Sequence, residues 1–580
     1  MAIPPGILYL ARNLPGVALP SAVTYLVFSK FHVGSRWLHI LAAVLVQPLV
    51  FGLTLLYSRF KESRDVAQRG AITIPKILDR RWGGLGLTNL GSLSQGHRIG
   101  YPALVFNGWF EKYGNTLLLE LLFECRIATS EPAYIKAVLA TEFDNYWKGP
   151  IDEDRGKSLL GTGVFNTDDE MWQFHRKITR PYFSRDRISD FDTFDTHANN
   201  AIGQAAARLR QGYAVDIQDA IARFTLDSAT EFLFGKSVDS LSAGLPYPAS
   251  SSQTNPPSFL EHSSNRFVNA FMEGQKLHVY RSPFGSKWAL NEFWHDKIKP
   301  HRDVIDQFIE PILNDALTEK ARADVDPKSE PDTLLSHLVQ ETEDKQIIRD
   351  EILNILVAGR DTTSSLLTFA VYMLAEHPEM GERLRAEIID KVGNRRPTHD
   401  DIKAMPYLRA FINETLRLYP PVPADARSSK KATTWPAMTP GGKPFYVPAK
   451  AKIVYFVFLM HRRKDLWGPD ALDFDPDRFI DGRLQKYLIP NPYIFLPFNA
   501  GPRICLGQQF AYQEASFFLV RLLQRFKSFV LAPDAQPEET KPPSSWKECP
   551  LRSREKIMFG TSLTMYAKGG LWVRMEEATS

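Results

Sequence analysis

Residues 37–57, WLHILAAVLVQPLVFGLTLLY, hold no Asp, Glu, Lys or Arg. At about 1.5 Å of rise per residue, a helix of this length covers about 30 Å, the thickness of a bilayer's hydrocarbon core. The run is either a membrane span or the buried central helix of a large core. It is longer than an average globular helix, which favours the span. Pro48 predicts a kink, and a span tolerates one. A second apolar stretch, residues 7–28, carries Arg12 and Asn13 with the breakers Pro15, Gly16 and Pro20. It reads as a second span, a re-entrant piece or an interfacial segment. No clear small-residue cleavage site follows it, so it is a poor signal peptide.

Beyond residue 57 the chain turns basic, with Arg59, Lys61, Arg64, Arg69, Lys76, Arg80 and Arg81 against Glu62, Asp65 and Asp79. Positive charge beside a span places the bulk of the chain on the cytoplasmic side, although Lys30 and Arg36 precede the span. The 580 residues include only three cysteines, Cys125, Cys505 and Cys549, far apart. That excludes a disulfide scaffold and a multi-cysteine metal site, and it agrees with a reducing compartment. Cys125, in an apolar run, and Cys549, in a Pro/Lys-rich stretch, read as structural or surface residues. A hydrophobic fraction of 44% and a charged fraction of 23% are those of a globular chain. A formal charge of +4 gives no reason to expect nucleic acid binding.

From about residue 100 the pattern is mainly helical with a few strands. Thr116–Ala128 reads as a hairpin or half-buried strand region, and Ser130-Glu131-Pro132 as a helix start. Residues 243–258 form a Pro/Ser-rich loop of the kind that lies over a site as a lid. Residues 322–333 and 533–548 are similar polar connectors. No internal repeat, P-loop or dinucleotide fingerprint is present. Residues 344–376 predict one rod crossing the whole domain, with Ile348, Ile352, Ile355, Leu356 and Ala358 at mostly three- and four-residue spacing.

The chemistry is concentrated in Phe498-Asn499-Ala500-Gly501-Pro502-Arg503-Ile504-Cys505-Leu506-Gly507. An amphipathic helix follows at once, with its positive end beside the sulfur, an arrangement that favours thiolate. Gly501 and Gly507 permit tight turns beside a flat ligand. Arg503 is placed to pair an anionic group. A lone, aromatic-shielded thiolate suits one soft axial ligand to iron. This Phe-x-x-Gly-x-Arg-x-Cys-x-Gly run resembles the cytochrome P-450 superfamily of haem-thiolate monooxygenases. The resemblance implies that Cys505 is the proximal ligand of haem b, with Phe498, Gly501, Arg503 and Gly507 forming the cofactor loop.

Other segments follow in the family's order. Glu414-Thr415-Leu416-Arg417 resembles its Glu-x-x-Arg, and Pro476-Asp477-Arg478-Phe479 its Pro-x-Arg-Phe, with Asp477 where Glu is commoner. Together they imply a structural network of Glu414, Arg417 and Arg478. Trp172-x-x-x-Arg176 puts both side chains on one helix face, and the resemblance directs them to a haem propionate. Arg427, after the Pro420-Pro421-Val422-Pro423 turn, resembles a further propionate contact.

Ala358-Gly359-Arg360-Asp361-Thr362-Thr363 interrupts the apolar rod. Glycine there costs about 1 kcal/mol relative to alanine, and such local conflict often marks function. Small Ala358 and Gly359 leave room beside a flat cofactor. A threonine hydroxyl that bonds its own helix backbone opens a kink or bulge. In the family an acid–alcohol pair delivers protons to the dioxygen being activated; carried over, Thr362 and Asp361 are the catalytic residues. Ala358, Gly359, Thr363, Val422 and Ala424 are expected to line the substrate pocket.

The implied fold is the family's helical prism around haem with a small β-rich side, preceded by one or two membrane helices. The expected division is an anchor over 1–58, a basic, Gly-rich linker over 59–94 and the catalytic domain over 95–580. No flavin domain fits in that length, so electrons are expected from another protein; the resemblance implies an NADPH–cytochrome P-450 reductase. The basic residues Arg176, Lys177, Arg180, Arg185 and Arg187 would steer it. The segments TGVFNTDDEMWQFHRKITRPYF and NETLRLYPPVP look like those of fungal membrane P-450s that hydroxylate alkanes and fatty acids; an aromatic xenobiotic is a second substrate class. The expected location is the endoplasmic reticulum, with the body facing the cytoplasm. The alternatives are a P-450-fold isomerase or peroxygenase needing no reductase, and a non-catalytic haem-binding membrane protein.

Overall fold

A computed structural model describes residues 3–77, 79, 86–98, 100–183, 191–323 and 333–578. Arg80, Arg81, the glycines Gly83 and Gly84 of the linker, Arg185 and Arg187 of the basic cluster, and 324–332 of one polar connector lie outside the described residues.

The chain opens with two antiparallel helices, α1 (Pro5–Lys30) and α2 (Arg36–Gln68). Ser21 Oγ donates to the Ala43 carbonyl at 2.6 Å, and Gln47 donates to Ser21 Oγ at 2.6 Å and to the Val17 carbonyl. Polar side chains in an apolar hairpin thus satisfy one another. α1 continues through Pro15 and Pro20, and α2 through Pro48. Among the described residues, α2 alone is long and apolar enough to cross a membrane. It extends past residue 57, so Arg59, Lys61 and Arg64 continue the same helix. α1 also touches the body: the Gly6 N–H donates to the Phe293 carbonyl at 3.0 Å, and Arg12 pairs with Asp154 at 3.6 Å.

The body is mainly helical. Its principal helices are α3 (Pro150–Leu160), α4 (Asp169–Thr179), α5 (Asp192–Arg210), α6 (Ile217–Phe234), α7 (Ser263–Arg281), α8 (Lys299–Ala323), α9 (Lys345–Glu376), α10 (Pro406–Leu418) and α11 (Gln508–Arg525). α9 is the expected rod. Asp344 caps it, accepting from the Gln346 and Ile347 N–H groups at 2.8 and 3.3 Å, as N-cap carboxylates do. Its first half packs with α6 and α8, and its second half with α10 and α11. A helix apolar on every side must be enclosed this way.

A six-stranded sheet forms the β-rich side. Its strands are β1 (Lys76–Ile77), β2 (Thr116–Leu121), β3 (Glu124–Thr129), β4 (Tyr146–Trp147), β5 (Asp425–Ser429) and β6 (Lys452–Tyr455), in the order β1-β2-β3-β6-β5-β4. The expected hairpin is β2–β3. Its two-residue turn holds Leu122 and Phe123 at φ +51° and +66°, the left-handed pair a tight hairpin needs. Phe123 packs edge-on against Phe51 of α2, with ring centroids 5.2 Å apart. The expected helix start holds too, with Pro132 opening a short helix. The 243–258 loop packs against α5 instead of forming a lid: Arg208 donates to the Leu245 and Pro246 carbonyls at 2.9 and 3.1 Å and lies over the Tyr247 ring.

Candidate active site

Gly501 sits at φ +69°, and a Cβ there would meet the Leu139 carbonyl oxygen at 1.8 Å, so the turn admits glycine alone. The Cys505 N–H then donates to the Phe498 carbonyl at 3.0 Å, closing the loop. Phe498 leans on Tyr512 of α11 at 5.1 Å. Gly507 differs from expectation: its φ of −79° is ordinary, and a Cβ would approach no nearer than 3.5 Å, to Phe183. What it contributes is its backbone N–H, which bonds the Cys505 sulfur.

Cys505 is exposed yet densely surrounded by protein, as a side chain on the floor of an interior recess is. Burial raises its thiol pKa above the ordinary value, and the Gly507 N–H and nearby Arg176 only partly oppose that. The expected helix-end effect is therefore outweighed, because desolvation penalises an isolated anion more than one dipole end helps it. A metal at the sulfur would ionise it outright.

Three cations converge beside this loop with the carboxylates of Asp168 and Asp425. Arg503 donates to Asp168 at 2.6 Å and to the Thr167 carbonyl at 3.1 Å, and stands 4.4 Å over the Trp172 ring. Arg427 is buried and donates to Asp425 at 2.9 Å. Lys148, which no sequence motif marks, donates to the Phe165 carbonyl. Burial, with Arg427 and Arg503 nearby, pushes Lys148 down to about 8. Burial and Arg427 push Arg503 down to about 10. Burial is the larger cause of both shifts, and Lys148, Arg427 and Arg503 exceed Asp168 and Asp425 by one positive charge. The paired carboxylates of a porphyrin would relieve it, so these residues fit that group. Arg176 is half-buried, and its charge faces Cys505.

Opposite lies α9. Between Asp350 and Leu374 every residue is buried except Ala358, Gly359 and Thr362, which fall on one helical face. Ala358 and Thr362 are half-buried where their neighbours on the helix are fully enclosed. A Cβ on Gly359 would meet Ala229 Cβ of α6 at 2.9 Å, so its small size serves a close helix crossing more than room for a cofactor. The Thr362 hydroxyl donates to the Ala358 carbonyl at 2.7 Å, as expected, while the helix runs on unbroken. Thr363 corrects the pocket assignment. It is buried and turns to Glu514 of α11, because one residue of helix rotates a side chain by about 100°. Asp361 is also buried. It accepts from Gln275 of α7 at 2.8 Å and from Arg360 at 2.5 Å. Val422 and Ala424 are half-buried after the proline turn.

Glu414, Arg417 and Arg478 meet in full burial. Arg417 grips Glu414 in a fork of 2.6 and 2.7 Å, and Arg478 Nε lies 3.5 Å from Glu414. Arg417 also donates to the His461 and Ala471 carbonyls at 2.8 and 2.6 Å, and Arg478 to the Trp467 carbonyl at 2.9 Å. Asp477 pairs with Arg383 at 2.7 and 2.8 Å.

The family model for cytochrome P450 matches residues 83–552. The chain is 36% identical over 435 residues to the cytochrome P450 monooxygenase pvhE of Talaromyces variabilis, covering 71% of this chain and 76% of that one. It is 31% identical over 557 residues to fsdH of Fusarium heterosporum, also a cytochrome P450 monooxygenase, with 93% and 89% covered. It is 36% identical over 459 residues to cytochrome P450 52A3-A of Candida maltosa, with 75% and 81% covered.

Proposed function

The chain belongs to the cytochrome P450 family and is a monooxygenase; from that premise we propose that it inserts one oxygen atom of O2 into a C–H bond of a long-chain lipophilic substrate. Electrons come from an external NADPH–cytochrome P-450 reductase. The observations that carry this reading are the accessible sulfur of Cys505 in its glycine-pinned loop and the part-exposed Ala358, Gly359 and Thr362 on a helix buried elsewhere from Asp350 to Leu374.

In this reading Cys505 would ligate the iron of haem b. Lys148, Arg427 and Arg503, with the Trp172 indole, would hold its carboxylates, and Phe498, Gly501 and Gly507 shape the cysteine loop. When bound, haem supplies the dioxygen activation that no side chain performs. The Thr362 hydroxyl oxygen is left to accept while its proton rests on the Ala358 carbonyl. Asp361, held by Gln275 and Arg360, is the acid of the relay and passes protons from water to Thr362. Ala358, Val422 and Ala424 present a small, apolar lining suited to a hydrocarbon. The anchor comprises residues 1–58, and the catalytic domain begins near residue 95 at the endoplasmic reticulum surface. Arg176, Lys177 and Arg180 form the described part of the reductase-steering face.

The test is turnover of dodecanoate and dodecane by the membrane-bound protein. Hydroxylation with NADPH and reductase, and little with peroxide alone, supports the reading. Turnover with peroxide but none with NADPH and reductase contradicts it.

A further inference from the structure

Five side chains from α3, α7, β3 and β6, namely Asp152, Arg155, His278, Arg126 and Lys452, meet in one cluster. Lys452 of β6 and Arg126 of β3 are partners in strand register. Lys452 lies 2.5 Å from Asp152 Oδ1 of α3. Arg155 Nη1, one turn along α3, is 3.0 Å from the same oxygen, without the alignment of a hydrogen bond. Arg126 spends its outer nitrogens on the Ser282 and Pro283 carbonyls and stands 3.4 Å from Glu124, a carboxylate shared with Ser286 and Lys287. Arg126 Nε, Arg155 Nε and Nη1, and His278 Nδ1 of α7 have no hydrogen-bond partner, on side chains only 7%, 8% and 8% exposed.

Arg155 and Lys452 thus share Asp152, and Arg126 has only a part of Glu124. The field shows in its neighbours: burial, then Arg155, pushes Lys452 down to about 8 and His278 down to about 3. Unpartnered buried donors are costly, and a second anion would satisfy them. The place suits an amphiphile. On one side Asp154 of α3 pairs with Arg12 of α1, and the short helix Trp288–Asn291 rests against α1, with Leu290 and Trp294 exposed. On the other, Gln275 lies one turn from His278 on α7 and touches Asp361.

We propose that Arg155, Arg126 and Lys452 bind the carboxylate of a long-chain fatty acid, anchoring the head while the hydrocarbon extends toward Ala358 and Thr362. The proposal rests on the monooxygenase reading above and narrows its substrate class. Asp152 holds Lys452 and Arg155 when no substrate is bound, and an entering carboxylate takes the unpartnered guanidinium N–H groups in charge-assisted bonds.

The test is a set of Soret-shift titrations of the full-length holoenzyme with dodecanoate, methyl dodecanoate and dodecane. Wild type is expected to bind dodecanoate about 10-fold or more tighter than the ester, the scale of a charged hydrogen bond. Arg155→Gln and Lys452→Met should erase that preference and leave ester binding within about 2-fold. Asp152→Asn, which removes the competing carboxylate, should tighten dodecanoate; a merely structural ion pair would weaken with it. The reduced carbon-monoxide band checks that each variant keeps its haem site, and if Arg155→Gln loses it, the other two variants decide. Equal affinity of wild type for acid and ester, or equal weakening of both in the variants, overturns the carboxylate site alone. Binding of none of the three by a spectrally intact protein overturns the long-chain reading with it.

Discussion

Gln275 Nε2 donates to Asp361 at 2.8 Å, and the same amide's oxygen accepts from Ser562 Oγ at 2.9 Å and from the Leu563 N–H at 3.2 Å. One buried side chain therefore ties α7 to the acid next to Thr362 and to the Ser562–Leu563 turn near the carboxy terminus. Gln275→Ala should cost about 1.5–3 kcal/mol of stability, since it strips a hydrogen bond from a buried carboxylate. It should also lower product formed per NADPH consumed, because Asp361 is no longer held. A lower melting temperature with unchanged coupling would assign Gln275 a structural role only.

Thr362→Ala should raise peroxide release relative to product and lower product formation by about 100-fold, the lower end of positioned proton transfer. Thr362→Ser keeps the hydroxyl and should retain most coupling. Unchanged coupling in the alanine variant would remove Thr362 from the relay.

Two glycines of one loop should behave oppositely. Gly501→Ala drives a Cβ into the Leu139 carbonyl from a left-handed backbone and should abolish most haem incorporation. Gly507→Ala meets only Phe183, at 3.5 Å, and should keep haem. The ratio of Soret to protein absorbance in purified variants reads both, and equal loss in the two would contradict the loop geometry.

Glu555 gives the stability a pH dependence. It is buried, with the Tyr419 and Tyr372 hydroxyls donating at 3.1 and 3.4 Å, and burial pushes its pKa up to about 7 despite Arg462. Between the ordinary carboxylate pKa and about 7, the unfolded chain releases this proton while the folded protein keeps it. Folding stability should therefore fall as pH rises through that window, by up to about 1.4 kcal/mol per unit. Glu555→Gln should remove this slope and be the more stable protein at pH 7. Parallel melting curves across the window would contradict the assignment.

Legibility tracked locality. The Cys505 loop and the Glu414, Arg417 and Arg478 set lie in short contiguous segments, and each residue's neighbours in sequence announce it. The rod was legible because its apolar spacing persists over many turns. Gln275, Lys148 and Glu514 were not, since each sits alone in an unremarkable segment and meets the site through packing between distant helices. Thr363 was misplaced because sequence proximity to Thr362 says nothing about the helical face. Gly507 was identified for a turn it does not make; its contribution is a backbone N–H, which every non-proline residue owns.

The most direct test is the reduced carbon-monoxide difference spectrum of the wild type beside Cys505→Ser. The wild type should give the long-wavelength Soret band of a thiolate-ligated haem, and the serine variant should lose that band along with turnover. A serine variant with the wild-type band and undiminished turnover would contradict the assignment of Cys505 as the iron ligand.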